Sequence, residues 1–257
     1  MLRRIVTTLT AMACLSGTAA GMAGAADVTN ANYQPLPAAV VRDLAVPVST
    51  LDAVGAGKPN GQPNQAPRLS TERRIREDGK PEVAYVLGEF CPYCAGESWA
   101  LAVALSRFGT FIDLETLTSN SEDAPPSIQT ISFRRAAYES RYLAFDPIVD
   151  EDANFKPVEH VPAKVMPAWN KAHNGLPFID FGGRAELTTS SFSPTLLKGL
   201  SRVQIASDLA HAGRPVAQAI DGTANQLTAA ICLVTGNKPG KVCRSKTVAA
   251  IQHSLRS

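Results

Sequence analysis

The chain lacks an excess of charge of either sign, its 257 residues holding 25 Lys and Arg against 23 Asp and Glu. Two of the cations, Arg3 and Arg4, lie in a segment expected to be removed, and the remainder carries a formal charge of zero. Electrostatic attraction to nucleic acid or to an anionic membrane surface therefore has little to draw on. Beyond the N-terminus there is no run of 18 purely apolar residues and no repeating period, which argues against a membrane bundle and a solenoid. The four histidines, His160, His173, His211 and His253, share no motif spacing, and a second C-x-x-C is missing, so a zinc site has no ligand pattern to match. What is plentiful is apolar material, 45% of the residues, enough for one good-sized core with attachments.

Residues 1–26 read as a secretory signal peptide: Arg3 and Arg4, a moderately apolar stretch, then Ala23-Gly24-Ala25 as a cleavage site. The expected location is extracytoplasmic, secreted or in the cell envelope. A membrane tether is expected only if this segment stays uncleaved or is lipidated, for which Cys14 is a weak acceptor. Outside the cytoplasm disulfides persist. The mature chain then has Cys91, Cys94, Cys232 and Cys243, which allow three pairings; spacing favours 91 with 94 and 232 with 243. Cys232 and Cys243 would close a comfortable loop as a structural staple, stabilising by about 3 kcal/mol.

Four regions are expected: the signal peptide at 1–26, an N-terminal arm and linker at 27–80, a central domain at 81–211, and a helical extension with a disulfide at 212–257. Within the arm, 37–54 is modestly apolar but interrupted by Pro47, and 55–67 is so rich in Gly, Pro and Asn that it reads as a linker. Arg73, Arg74 and Arg76 are matched by Glu72, Glu77 and Asp78, which describes a solvated face. Order begins at 82–88, an apolar run of strand length covered on both faces. The apolar stretch 98–108 predicts a buried helix with Gly109 as its C′ residue, and Trp99 reads as core. Strand composition recurs at 115–119, 128–134 and 142–149, and 177–192 reads as a hairpin turning at Gly182-Gly183. Ser201 and Gln204 form a capping box opening a helix to about residue 211, and Pro215 opens another to about 234. The order βαβ…ββα with a helical tail predicts an α/β sandwich of the thioredoxin type.

Chemistry concentrates in Phe90-Cys91-Pro92-Tyr93-Cys94. A cysteine in the first turn of a helix faces free N–H groups and the positive end of the dipole, which lower its pKa; Cys91 has that place. Cys94, one turn further in, is placed to attack a mixed disulfide formed at Cys91. Pro92 at the first helical position loses no hydrogen bond. Glu97, a turn beyond Cys94, resembles an acid found after the C-x-x-C of some exported thioredoxin-like reductases, which implies proton exchange with the resolving cysteine, although a carboxylate there is also ordinary dipole complementation.

The stretch EFCPYCAGESWALAVALSRFGTF at 89–111, with GLPFIDFGGR at 175–184, resembles the uncharacterised family of thioredoxin-like proteins known as domain of unknown function 929. The likeness runs from about residue 46 to 243. It implies a thioredoxin-like three-layer sandwich with a redox motif and an insertion in the long stretch 95–176. By the same resemblance Pro177 is the cis-proline facing the C-x-x-C, and Leu176 presents backbone to an extended substrate. Only about 5–6% of X–Pro bonds are cis, so that assignment rests on the resemblance. Tyr85 stands where thioredoxin has a buried acid, which leaves the proton acceptor unassigned.

The expected function is an exported thiol–disulfide oxidoreductase without cofactor or metal, acting on cysteine-containing exported proteins and reset by a redox partner. Two alternatives stay open: a Cu(I)-handling module using Cys91 and Cys94 as soft ligands, and a redox-inert envelope interaction protein on the same scaffold.

Overall fold

The apolar run at 82–88 becomes the middle of a sheet because both of its faces need cover. In the computed structural model, which describes residues 31–256, α1 (Ala38–Asp43) and α2 (Val48–Val54) lead, followed by β1 (Arg68–Leu69) and β2 (Arg76–Glu77). Then β3 (Lys80–Gly88) runs into α3 (Pro92–Leu105), and an excursion holds β4 (Thr110–Ile112), β5 (Glu115–Thr118), β6 (Gln129–Ser132) and β7 (Ala137–Glu139). The chain re-enters the sheet as β8 (Ala144–Glu151), passes α4 (Met166–Lys171), and returns as β9 (Phe178–Phe181) and β10 (Ala185–Leu187). It closes with α5 (Arg202–Asp208), α6 (Pro215–Val234), α7 (Gly240–Cys243) and α8 (Lys246–Arg256). The expected leader at 1–26 and Cys14 lie outside the described residues.

The fold is mixed α/β on a mixed sheet. β3 pairs in parallel with β8 along one edge and antiparallel with β9 along the other, and β10 and β1 extend the β9 side. Alternate side chains of β3 serve two cores: Val83, Tyr85 and Leu87 join the larger cluster with α3 and α6, while Ala84 and Val86 join a smaller one with Ile148, Val165, Ala168 and Phe178. Each buried aliphatic side chain contributes about 1.5–3 kcal/mol, so β3 is fixed from both faces at once. The turn from β9 to β10 uses Gly182 and Gly183, both at positive φ, and a Cβ on Gly183 would collide with the Arg73 carbonyl oxygen.

Several expectations change. α3 begins at Pro92 and ends at Leu105, and Gly109 is no left-handed cap: it lacks a side chain because the Glu139 carbonyl and the Tyr138 ring occupy that space. Pro47 does not break the arm but precedes α2, and Val40, Leu44, Leu51 and Val54 are buried. The supposed linker 55–67 lies against α6. Gly57 and Gly222 meet backbone to backbone, and Asn64 Nδ2 donates to the carbonyls of Gln218 and Ala219 (both 3.0 Å). Asn225 Nδ2 donates to Leu51 and Gly55 (both 2.8 Å), and Gln226 Nε2 to Ala56 (2.9 Å). Side-chain amides thus satisfy carbonyls that irregular backbone leaves over, which lets a Gly/Pro/Asn-rich segment be packed with no more regular structure than the 3-10 turn Pro59–Gly61.

One core cluster runs from Leu36 to Ile251, so no boundary in packing falls at 81 or 212. Within it Asp221 has no partner for either carboxylate oxygen, and burial pushes its pKa up to about 8, which keeps it protonated near neutrality. No helix among the described residues is long and apolar enough to cross a membrane.

Candidate functional site: the paired thiols opening α3

β3 ends at Gly88, over which the Phe90 ring folds so closely that a Cβ has no room. The next turn delivers Cys91 as the N-cap of α3, in extended conformation (φ −78°, ψ 121°). Its Sγ accepts the Cys94 N–H at 3.3 Å, the role an Asp or Ser oxygen fills in other caps. A hydrogen bond from the Cys94 thiol and the backbone N–H groups of Cys94 and Tyr93 pull the Cys91 pKa below that of an ordinary thiol, against the effect of burial. Cys94 goes the other way, pushed well up by burial and then by the neighbouring Cys91. Both are free thiols, 7% and 1% exposed, whereas Tyr93 between them is 43% exposed.

Beneath Cys94 the polar groups are arranged by β3 and α3. Tyr85, fully buried, donates its hydroxyl to the Cys94 carbonyl at 2.9 Å and lies 3.2 Å from the Ser98 hydroxyl. Burial raises its pKa well above 10, so it acts as a fixed donor under the first turn. Glu97 is also fully buried, which a merely dipole-complementing surface carboxylate would not be. It accepts from the Ser191 N–H (3.0 Å) and hydroxyl (3.1 Å), and burial lifts its pKa to about 7. Its charge raises the pKa of Cys94, so the two groups share one electrostatic neighbourhood.

Pro177 is buried at the entry to β9, and the Leu176–Pro177 bond is cis. Phe178 pairs with Val86, which brings the start of β9 to the same end of the sheet as the turn carrying Cys91. Leu176 is partly buried against both cores. Phe90, immediately before Cys91 in the chain, packs against Phe155 at 4.5 Å between centroids with the rings tilted by 34°, and Phe155 is 44% exposed.

Sequence reasoning missed Glu89. It is buried beside the motif, accepts from the hydroxyls of Tyr33 (2.7 Å) and Ser132 (2.8 Å), and lies 3.7 Å from Arg134. Burial raises its pKa despite these partners. The signal was an acid just past the end of a near-continuous apolar run, two residues before a cysteine.

Cys232 and Cys243 are joined as a disulfide with Cα atoms 5.6 Å apart. Trp99 is fully buried and donates to the Gln129 carbonyl at 3.0 Å. All four histidines are exposed. Arg73, Arg74 and Arg76 are exposed too, but the neighbouring acids pair elsewhere, Glu72 with Lys171 (2.7 Å) and Glu77 with Lys164 (3.1 Å). Among the described residues no group of three or more His, Cys, Asp or Glu is arranged to hold a metal ion, and Cys91 and Cys94 are the soft donors at this site.

No curated protein and no solved structure matches the chain. A family match covers a narrower stretch than the resemblance at 46–243: it includes Cys91, Cys94, Tyr85, Glu89 and Glu97 and stops short of Leu176, Pro177 and the disulfide. Over residues 71–175 the chain is similar to the family described as Domain of unknown function (DUF929).

Proposed function

We propose that the protein is an exported thiol–disulfide oxidoreductase of thioredoxin-like fold, acting on cysteine-containing proteins. The observation that carries this reading is the asymmetry of the pair: Cys91 accepts an N–H at the start of α3 and its pKa is lowered, while Cys94 is sealed beneath it with a raised one. The strand–helix–strand run β3–α3–β8 and the antiparallel β9–β10 pair followed by α6 support the fold. On this reading the excursion β4–β7 is the insertion, and the leader-like residues 1–26 support export.

In the exchange, the Cys91 thiolate attacks one sulfur of a substrate disulfide. The Cys91–substrate bond forms as the substrate's own S–S bond breaks, and the departing sulfur leaves as a thiolate. Cys94 then gives its proton to the Glu97 carboxylate and attacks Cys91 Sγ. A Cys91–Cys94 disulfide forms, the second substrate thiolate is released, and two electrons have passed to the substrate. With a pKa of about 7, Glu97 exchanges a proton readily at neutral pH. The reverse sequence oxidises a substrate dithiol, and the redox partner sets the direction. No cofactor takes part.

Replacing the resolving thiol tests this. Cys94→Ser should accumulate covalent complexes with exported proteins that collapse on reduction, and Cys91→Ser should trap few. A folded, secreted Cys94→Ser protein that forms no such complexes would contradict the reading.

A further inference from the structure

A groove of about 610 Å³ runs beside the first turns of α3, between the segment 59–65 and the segment 189–196, with Tyr93 of the C-x-x-C as part of its wall. Its lining holds no charged side chain. Asn60 and Gln62 line it from one segment and Ser190, Ser193 and Thr195 from the other. Ser191 sits in the same wall with both its N–H and its hydroxyl held by buried Glu97, and the Phe192 ring packs 3.3 Å from where a Gly96 side chain would begin. The wall is therefore clamped to the helix that carries both cysteines.

We infer that this groove seats the uncharged, polar stretch of a substrate polypeptide that flanks the reacting cysteine. The inference rests on the thiol exchange proposed above and adds the substrate class. Three features support it. Tyr93, two residues after Cys91, belongs to both motif and groove, which places the groove beside the motif. Hydroxyls and amides donate and accept alike, which suits peptide groups and neutral side chains. A charged side chain entering the groove loses water and finds no counter-ion, which disfavours it. At this volume the groove is in the usual range for ligand clefts.

Peptides with a single cysteine capped as a mixed disulfide with 2-thiopyridone test the inference on the Cys94→Ser protein. Cys91 attacks the peptide sulfur, the peptide–thiopyridone bond breaks, and released thiopyridone is read by absorbance. Three peptides differ only in flanks of Ser and Asn, of Asp, or of Lys, and each rate is divided by the rate with 2,2′-dithiodipyridine, which carries no peptide. The neutral peptide should exceed both charged ones by about tenfold. With Thr195→Glu added, the Lys-flanked peptide should gain on the neutral one by a similar factor. Equal normalised rates for all three peptides, unmoved by Thr195→Glu, would overturn the groove while leaving the exchange reading intact. A Cys91 that fails to react even with dithiodipyridine would overturn the exchange reading and this inference with it.

Discussion

Cys91 and Cys232 both lie at a helix end, and the ends are opposite. Cys91 caps the N-terminus of α3, where its Sγ receives an N–H, while Cys232 sits in the last turn of α6, three residues short of the cap at Thr235. The positive end of a helix dipole stabilises a thiolate and the negative end disfavours one. Their partners differ as well: Cys94 stays a free thiol one turn deeper, and Cys243 is bonded to Cys232 from the short helix α7. Each pair is short-spaced and largely buried, so spacing and burial alone do not separate a reactive pair from a staple. The backbone groups aimed at the sulfur do.

The largest effect on stability should come from the bonded pair. Replacing Cys232 and Cys243 together by Ala should cost about 3 kcal/mol in chemical denaturation, while the alkylation rate of Cys91 stays within about twofold. A Cys91 rate that falls with the disulfide would break the division of labour.

A smaller effect should mark the other pair. Glu97 has a pKa of about 7 in the fold against 4.5 for the free side chain, so the folded state holds the proton longer. Stability is therefore lost as pH rises from about 4.5 to 7 and levels off above. Glu97→Gln has no such slope, so its stability relative to the parent should climb by about 2 kcal/mol between pH 5 and pH 7. Denaturant midpoints at those two pH values measure it, and parallel curves would show that Glu97 does not titrate near 7 and would remove it as the proton acceptor. The smallest change lies away from both pairs: Ser201→Ala removes the capping box of α5, in which Ser201 Oγ accepts the Gln204 N–H at 3.3 Å, and should cost about 1 kcal/mol with no effect on either cysteine pair.

What was legible in the sequence was what local chemistry determines. The near-continuous apolar run of β3, the Gly182-Gly183 turn, the Ser201 capping box and Pro215 at the start of α6 each act within a few residues. The segment 55–67 was not legible, because what orders it is Asn225 and Gln226, some 170 positions away, donating to its carbonyls. The burial of Glu97 was hidden for the same reason: its partner Ser191 comes from beyond β10. For the site, Cys91 and Cys94 were visible from their spacing, and Glu89 was not, since Tyr33 and Ser132 reach it from separate segments.

The central claim is that the two thiols of one motif differ in kind, and the pH dependence of their alkylation measures that difference most directly. In the reduced protein with both thiols present, iodoacetamide labelling mapped at each cysteine over a pH series should show Cys91 titrating below the free-thiol value of about 8.5 and reacting at least about tenfold faster than Cys94 at pH 7. Cys94 should titrate above that value. Coincident titrations with equal rates would contradict the account.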